Sequence, residues 1–176
     1  LLGIDLATLK AQPGVVAVLT AADVPGLNDC GALVHDDPIL ADGLLHYLGQ
    51  PVFAVLATDR ESARRAASLA KSVIQAEPLP ALLTPEAAHQ AGQYVVPPMH
   101  LSRGDAQHAL NTAPHRLPLR VDLGGQEQFY LEGQIAYAIP REDGQLTIYV
   151  STQHPDGNQR EAAAALNLRT SDVEVI

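Results

Sequence analysis

The fold of this chain is decided where residues 51–57, Pro-Val-Phe-Ala-Val-Leu-Ala, run directly into Thr58-Asp59-Arg60-Glu61. The first run is apolar, rich in Val and opened by Pro, which predicts a strand buried on both faces. The second fits a capping box, in which the Thr58 hydroxyl accepts from the Glu61 backbone N–H while the Glu61 carboxylate reaches back. The hydrophobic period therefore changes from strand to helix at this junction.

The helix predicted after this junction has one apolar face with spacings of three and four, formed by Ala63, Ala66, Ala67, Ala70, Val73 and Ile74. Pro78 and Pro80 end it and begin an extended segment. Upstream, residues 14–20 form a second Val-rich run that predicts another strand buried on both faces. The stretch between the two runs is rich in Gly, Pro, Asn and Asp, so we expect loops there with one short strand at 44–48.

Downstream, Thr84-Pro85-Glu86 predicts a short helix that continues to His89. Residues 91–118 read as a connecting segment with one helical turn, and strands return from Leu119 onward. The elements expected after that point are a strand over 131–139, a turn at Asp143-Gly144, a strand over 145–151, a helix over 159–166 and a strand over 173–176. The last three form a strand–helix–strand crossover. The chain is therefore predicted to be a mixed αβ protein of the α+β class.

Composition excludes several classes of protein. The formal net charge is −9, from 20 acidic and 11 basic residues, which argues against binding to a nucleic acid backbone. A single Cys excludes a disulfide scaffold and leaves the cytoplasm as the expected location, with Cys30 interpreted as a small loop residue beside Gly31. No apolar run approaches the roughly 18 to 20 residues that span a bilayer, so no membrane segment is expected.

The most unusual stretch is Gly124-Gly125-Gln126-Glu127-Gln128-Phe129-Tyr130-Leu131-Glu132-Gly133-Gln134. Two adjacent glycines allow another group to come close to the backbone. If the segment stays extended, one face carries the polar side chains of Gln126, Gln128, Glu132 and Gln134. Amide groups both donate and accept hydrogen bonds, which suits a polar, uncharged ligand with oxo or amide groups. A strand with one solvated face after a glycine bulge is the alternative interpretation.

A second candidate is Ser151-Thr152-Gln153-His154-Pro155, where a strand meets a helix. Ligand sites in α/β folds gather at the carboxyl ends of strands, although a polar cap with Pro155 in a turn accounts for the same residues. Zinc-ligand spacings, phosphate-binding glycine loops and activated-serine motifs are all absent from the sequence.

Taken together, these stretches resemble the molybdenum-binding subunit of the xanthine dehydrogenase and aldehyde oxidase family, and most closely its bacterial xanthine dehydrogenases. The resemblance runs in order along nearly the whole chain. The segments that carry it are 13–26, Gly49-Gln50-Pro51-Val52, Glu77-Pro78-Leu79-Pro80, Gly104-Asp105, 124–134 and 151–155.

The resemblance implies an α/β hammerhead domain over residues 1–92, a linker over 93–118, and the first βαβ portion of a molybdopterin-binding domain over 119–176. Both domains are expected to be incomplete, so that the chain is a fragment of a longer subunit. The glutamate base, the substrate pocket and most pterin contacts of the family would then lie beyond Ile176, no catalytic residue is expected within the chain, and the fragment alone is expected to be inactive.

The implied activity is oxidative hydroxylation of purines, from hypoxanthine and xanthine to urate. Gln126 matches the glutamine that contacts the oxo ligand of the molybdenum, and Gly125 and Phe129 are the other residues expected beside the cofactor. Electrons would pass to iron–sulfur clusters, FAD and NAD, with the clusters and FAD on a partner chain or domain. The implied assembly is a homodimer of heterodimers.

Two alternatives stay open. One is the large subunit of a related aldehyde oxidase or carbon monoxide dehydrogenase, because the residues that select the substrate would lie outside the chain. The other is a non-catalytic α/β interaction module, which is favoured by the absence from this sequence of a self-sufficient acid, base, nucleophile or metal cluster.

Overall fold

A computed structural model describes residues 1–176 of the chain. In chain order the elements are β1 (Gly3–Ile4), α1 (Leu6–Lys10), β2 (Val15–Leu19), β3 (Ala54–Ala57), α2 (Arg60–Ala67), α3 (Ala70–Val73), β4 (Ile74–Gln75), α4 (Pro85–Gln90), α5 (Ala106–Thr112), β5 (Ala136–Pro140), β6 (Leu146–Val150), α6 (Pro155–Ala165) and β7 (Val173–Val175). Helices and strands are both present, and three of the four strand pairings are antiparallel, so the mixed αβ fold of the α+β class predicted from the sequence is confirmed.

The chain divides into two compact units. Unit 1 combines Leu1–Glu77 with Tyr130–Ile176, and unit 2 is the intervening Pro78–Phe129. All seven strands belong to unit 1, whereas unit 2 contains only α4 and α5 as regular elements. Segments that are distant in sequence therefore make up the larger unit.

Three small sheets organise unit 1. β1 pairs with β4 and β2 pairs with β3, both antiparallel. In the third sheet β6 lies in the middle, antiparallel to β5 and parallel to β7. Because α6 connects the two parallel strands, the strand–helix–strand crossover predicted from the sequence is confirmed.

The main hydrophobic core lies among the elements of residues 1–77. Leu9 of α1, Val18 of β2 and Val73 of α3 are almost fully buried. Six partly buried side chains pack around them, namely Ile4, Leu6, Val15, Phe53, Leu69 and Ile74. A separate contact joins α6 to the third sheet, where Ala163 and Val173 are both buried. Apolar burial at these two places is the main force that holds unit 1 together.

The two Val-rich runs do form strands, but the prediction that they are buried on both faces is wrong. Val16 is 69% exposed and Leu56 is 46% exposed. The reason is the size of the sheet: β2 and β3 pair only with each other, so one face contacts helices and the other stays open. A continuous apolar run therefore did not indicate a central strand here.

The start of α2 also differs from the prediction, because Asp59 rather than Thr58 is the capping residue. One Asp59 carboxylate oxygen accepts from the Ser62 backbone N–H at 2.9 Å, and the other accepts from the Ser62 hydroxyl at 2.7 Å. The Thr58 hydroxyl donates to the Asp59 carboxylate at 3.3 Å and so helps to hold the capping side chain in place. Carboxylates are strong caps because they accept from free backbone amides of the first turn.

The helix predicted to continue to Ile74 is interrupted after Ala67. The Ser68 hydroxyl donates to the Arg65 carbonyl at 2.7 Å, a local bond that competes with the helix. α3 then restarts at Ala70, and Ile74 leaves the helix to pair with Ile4 in the first sheet. Tertiary pairing with β1 thus overrides the helical pattern at its end.

One predicted strand does not form, and another is shorter than predicted. Residues 44–48 are irregular, and glycines with left-handed φ angles stand on either side, Gly43 at 74° and Gly49 at 91°. The strand expected over 131–139 begins only at Ala136. Ala136 lies opposite Val150, the last residue of β6, so earlier residues have no ladder partner in that strand. No strand forms between Leu119 and Ile135 either.

Helix caps and turns, which depend on a few neighbouring residues, were predicted more accurately than the strands. Thr84 caps α4 and Pro85 is its first residue, as predicted. Residues around Asp143-Gly144 connect the antiparallel strands β5 and β6. The helical turn expected near Asp105 is a full helix, capped by the Asp105 side chain. α6 begins four residues before its predicted start, with Pro155 at the first position. None of these helices has the length and apolar character needed to cross a bilayer.

Asp59→Ala is expected to lower the free energy of unfolding by about 0.5–2 kcal/mol, the usual effect of removing a helix cap. The loss should be measured by urea denaturation at neutral pH, followed by circular dichroism. Thr58→Ala is the matched control, because Thr58 is the residue that the sequence pattern placed in the capping role. An equal or larger loss in the control would contradict the assignment of Asp59.

A comparison of the wild-type protein with Asp59→Ala also tests how the stabilisation by this cap depends on pH. Hydrogen bonds from the Ser62 hydroxyl and backbone N–H lower the pKa of Asp59 below its ordinary value of 3.8. A depressed folded-state pKa stabilises the fold above the unfolded-state value, and that contribution is lost as the pH falls through the folded-state value. The difference between wild type and Asp59→Ala should therefore be constant near neutrality and shrink below pH 3.8.

Candidate functional site

The first candidate site, Gly124–Phe129, lies in unit 2, where every side chain is at least partly exposed. None of residues 78–129 is buried, and 124–129 form neither helix nor strand. The conformation of this segment is consequently set by local backbone preferences and a few surface hydrogen bonds. The site residues predicted from the sequence, Gly125, Gln126 and Phe129, are all exposed.

The two glycines leave free space beside the Gln126 amide. A Cβ atom built at Gly124 or Gly125 would meet nothing within 4 Å. Neither glycine has a left-handed φ angle, so they are not required by the turn itself. Their backbone can therefore be approached closely by a group from outside the segment. Gln126, the next residue, is exposed and carries an amide donor and an amide acceptor.

Phe129 has an unusual conformation. Its φ angle is 53°, a region that bulky side chains rarely adopt, and its side chain is 93% exposed. Its backbone N–H donates to the Glu127 carboxylate at 3.3 Å. The segment is therefore not extended throughout, so the condition on which Gln126, Gln128, Glu132 and Gln134 would share one face is not met. A backbone outlier of this kind is a reason to look for function at the same place.

The second candidate, Ser151–Pro155, lies in unit 1 at the predicted junction. Ser151 follows β6, and Pro155 is the first residue of α6. The Ser151 hydroxyl donates to the Gly133 carbonyl at 3.1 Å, and its backbone N–H donates to Ile135 at 3.4 Å. Gln134 and Ser151 consequently line one shallow depression at the end of β6. Gly133 and Gln134, the last two residues of the glycine-rich stretch at 124–134, therefore lie beside this second candidate segment.

Sequence reasoning missed a cleft in unit 1 between the loop at 27–35 and the first turns of α6. Its volume is about 930 Å³, and its titratable lining residues are Asp29, Cys30, His35, His154, Asp156, Arg160 and Glu161. The sequence signals for this loop, Asn28-Asp29 and Gly31, were recognised only as turn punctuation. Nothing in their spacing indicates that they face a helix more than a hundred residues later in the chain.

Two side chains build the loop. The Asn28 amide donates to the Leu40 carbonyl at 2.7 Å and accepts from the Leu40 N–H at 3.0 Å, as a neighbouring strand would. The Asp29 carboxylate accepts from the backbone N–H groups of Gly31 at 2.8 Å and Asp37 at 3.2 Å, and it contacts His35 Nδ1 at 3.2 Å. These bonds give the wall of the cleft a defined shape.

Two carboxyl groups in the cleft, those of Asp29 and Asp156, are stabilised in their ionised form by neighbouring groups. Desolvation raises the pKa of Asp29, but hydrogen bonds from Gly31, His35 and Asp37 outweigh it, so the pKa lies below its ordinary value. The Arg160 guanidinium lowers the pKa of Asp156, which it contacts at 2.9 Å. Both carboxyl groups are therefore ionised at neutral pH.

Cys30 is exposed, and its thiol donates to the Asp37 carbonyl at 3.3 Å. Desolvation, followed by the nearby carboxylates of Asp37 and Glu161, raises the pKa of this thiol. The thiolate, which is the reactive form, is thus disfavoured at neutral pH. Across residues 1–176, no three His, Cys, Asp or Glu side chains are placed to hold a metal ion.

Two family models match the chain, one after the other. Residues 1–78 match the a/b hammerhead domain of aldehyde oxidase and xanthine dehydrogenase, and residues 87–176 match the molybdopterin cofactor-binding domain. The second match alone covers more than half of the chain. The chain belongs to the aldehyde oxidase and xanthine dehydrogenase family.

Relatives with both family names align over almost the whole chain. Xanthine dehydrogenase/oxidase of Gallus gallus is 32% identical over 99% of the chain, and aldehyde oxidase 2 of Rattus norvegicus is 36% identical over 98%. The chain spans only 13% of the length of each. The quinoline 2-oxidoreductase of Pseudomonas putida 86 shares the fold with a TM-score of 0.78 and 24% identity, over 99% of this chain and 24% of that one.

These comparisons confirm the predicted family and its two kinds of domain, a hammerhead domain followed by part of a molybdopterin-binding domain. They also show that the two family segments do not coincide with the two compact units. Unit 1 takes residues 1–77 from the hammerhead segment and 130–176 from the cofactor-binding segment.

Asp29→Ala is expected to speed amide hydrogen exchange in the loop around Gly31 and Asp37 by about five- to tenfold, because each loses a charged acceptor worth roughly 1 kcal/mol or more. Exchange should be followed by mass spectrometry on peptides that cover 28–41. Asp36→Ala is the matched control, since it removes a neighbouring exposed carboxylate. Unchanged exchange in Asp29→Ala, or equal acceleration in both variants, would show that Asp29 does not hold the loop.

Proposed function

We propose that this chain is part of the molybdenum-binding subunit of a xanthine dehydrogenase, which hydroxylates hypoxanthine and xanthine to urate. The observation that carries the proposal is the ordered match of both family segments together with the exposed Gln126 amide beside two unobstructed glycines. Phe129-Tyr130-Leu131-Glu132-Gly133-Gln134 supports the choice of xanthine over other substrates of the family.

The residues of the glycine-rich stretch fit one side of a molybdenum cofactor. Gln126 can donate a hydrogen bond to an oxygen ligand of the metal, and Gly125 leaves room for that approach. Phosphate groups are usually held by Arg, Lys or helix amides, and residues 124–134 contain no basic side chain. The fit is therefore to the metal end of the cofactor, and the phosphate end must be bound by other residues.

The chemistry that the bound cofactor supplies is hydroxylation of a carbon next to a ring nitrogen, with removal of two electrons. The contribution of this chain is orientation and polarisation. With the cofactor bound, the Gln126 side chain would donate its N–H to an oxygen ligand of the metal, and the exposed Phe129 ring would lie beside the cofactor. Ser151 fixes the extended backbone at 133–135 through its two hydrogen bonds.

The proposal extends to partners and location. Electrons leave toward iron–sulfur clusters and FAD on a partner chain or domain, with NAD as the final acceptor, in a cytoplasmic homodimer of heterodimers. An aldehyde oxidase is the second candidate function, favoured by the 36% identity to the rat aldehyde oxidase against 32% to the chicken xanthine dehydrogenase.

The substrate is decided by assaying the full-length subunit with its electron-transfer partner on xanthine, hypoxanthine and a set of aromatic aldehydes. We expect kcat/KM for xanthine to exceed that for each aldehyde by about a hundredfold or more, the usual discrimination of a site built to hydrogen-bond its substrate. The reverse order would establish the aldehyde oxidase. Absence of both activities in an enzyme with a full molybdenum complement would exclude both.

Gln126→Ala in the full-length enzyme is expected to lower kcat by about ten- to a hundredfold, which corresponds to the loss of one hydrogen bond to a charged or polarised group. Molybdenum content, measured by metal analysis, should stay unchanged, because the amide orients an oxygen ligand and does not bind the metal itself. Gln128→Ala is the matched control, as another exposed amide two residues away. Full activity in Gln126→Ala would remove this residue from the site.

A further inference from the structure

The carboxyl end of α6 has carbonyl groups that the helix itself cannot satisfy. After Ala165 the chain turns back through Asn167, whose φ angle of 54° is left-handed. The Leu168 N–H donates to the Ala163 carbonyl at 2.8 Å, which closes the helix in the manner of a Schellman motif. The same motif gives the Ala164 carbonyl one longer bond, from the Asn167 N–H at 3.3 Å. The carbonyls of Ala164 and Ala165 can also accept from N–H groups outside the helix.

Those N–H groups come from the first family segment. The Gly26 N–H donates to the Ala165 carbonyl at 2.9 Å, and the Leu27 N–H donates to the Ala164 carbonyl at 3.0 Å. Two successive backbone amides of the hammerhead segment therefore complete the end of a helix in the cofactor-binding segment.

This contact requires a glycine at position 26 because there is no room for a side chain, and not because of the backbone conformation. A Cβ atom there would collide with the Ala164 carbonyl oxygen and stand 2.8 Å from the Asn167 nitrogen. Its φ angle is outside the left-handed region, so any residue could adopt the local backbone. The absence of a side chain is what lets the loop approach the helix end.

The loop behind Gly26 is not free to move away on its own. Asn28 is bound in both directions to Leu40, and Leu40 itself is buried. The next residue, Ala41, is buried and donates to the Pro51 carbonyl at 2.8 Å, which leads directly into the strand at β3. On the other side, the Gln159 amide of α6 donates to the Val173 carbonyl at 2.6 Å and ties the helix to β7. Each partner of the contact is thus anchored in its own family segment.

We propose that Gly26 and Leu27 form a latch on the carboxyl end of α6, through which the hammerhead loop at 24–41 and α6 open as one cooperative unit. Loosening of α6 then releases the loop, and a loop that cannot dock leaves the end of α6 frayed. This contact holds the two walls of the cleft at 27–35 against each other. The latch is independent of which substrate the full enzyme oxidises.

The test is amide hydrogen exchange by mass spectrometry on the full-length protein, read on peptides that cover 24–41 and 155–168. Gln159→Gly weakens α6 without touching the loop, because it removes the bond to Val173 and places a poor helix former in the helix. We expect exchange to rise about fivefold or more in the α6 peptide and by the same factor in the loop peptide. Unchanged exchange in the loop would overturn the latch.

Gly26→Ala tests the latch from the other side. We expect faster exchange at both the loop and residues 163–168, whereas acceleration confined to the loop would overturn the proposal. Gly3→Ala is the matched control, since a Cβ at Gly3 meets nothing within 4 Å and its φ angle is not left-handed. It should leave both peptides unchanged. If Gly26→Ala does not fold, the Gln159→Gly result decides the question alone.

Discussion

Hydrogen bonds to the last carbonyls of α6 join the two parts of the larger unit of this protein. A helix leaves its last carbonyls without intrahelical partners, so donors come either from water or from another part of the chain. Here the donors are the Gly26 and Leu27 amides, from a segment that matches a different family domain. This one contact explains why unit 1 combines residues from both family segments, and why a glycine stands where the two meet.

The sequence predicted those features whose causes lie within a few residues. Thr84 before Pro85 and the Asp143-Gly144 turn are local signals, and the structure confirms both. Features that depend on a distant partner were missed or wrong. Ile74 leaves its helix because β1 is available to pair with it, and residues before Ala136 stay out of the sheet because β6 ends at Val150. Periodicity contains no information about where a partner strand ends.

In the candidate sites, too, features with local causes were predicted from the sequence and features that depend on distant residues were not. Composition alone indicated a polar stretch with two glycines, and only the resemblance to a family gave Gln126 a role. The cleft beside Asp29 and His35 could not be predicted, because its two walls are far apart in sequence and are brought together only by the fold. The conformation of Phe129 could not be predicted from the sequence either, because nothing in the residue type predicts a φ angle of 53°.

The exposure of Gln126 has a consequence for how such a residue can act. An amide orients a ligand only if its own conformation is fixed, which usually requires packing or hydrogen bonds around it. None of residues 78–129 has a buried side chain. Side-chain hydrogen bonds in this segment include the Thr84 cap and the bidentate pair between Arg120 and Asp122. For Gln126 to act as proposed, contacts made by this segment with other groups must therefore fix its conformation. The glycines beside it, open on the side where a Cβ would stand, are suited to such a contact.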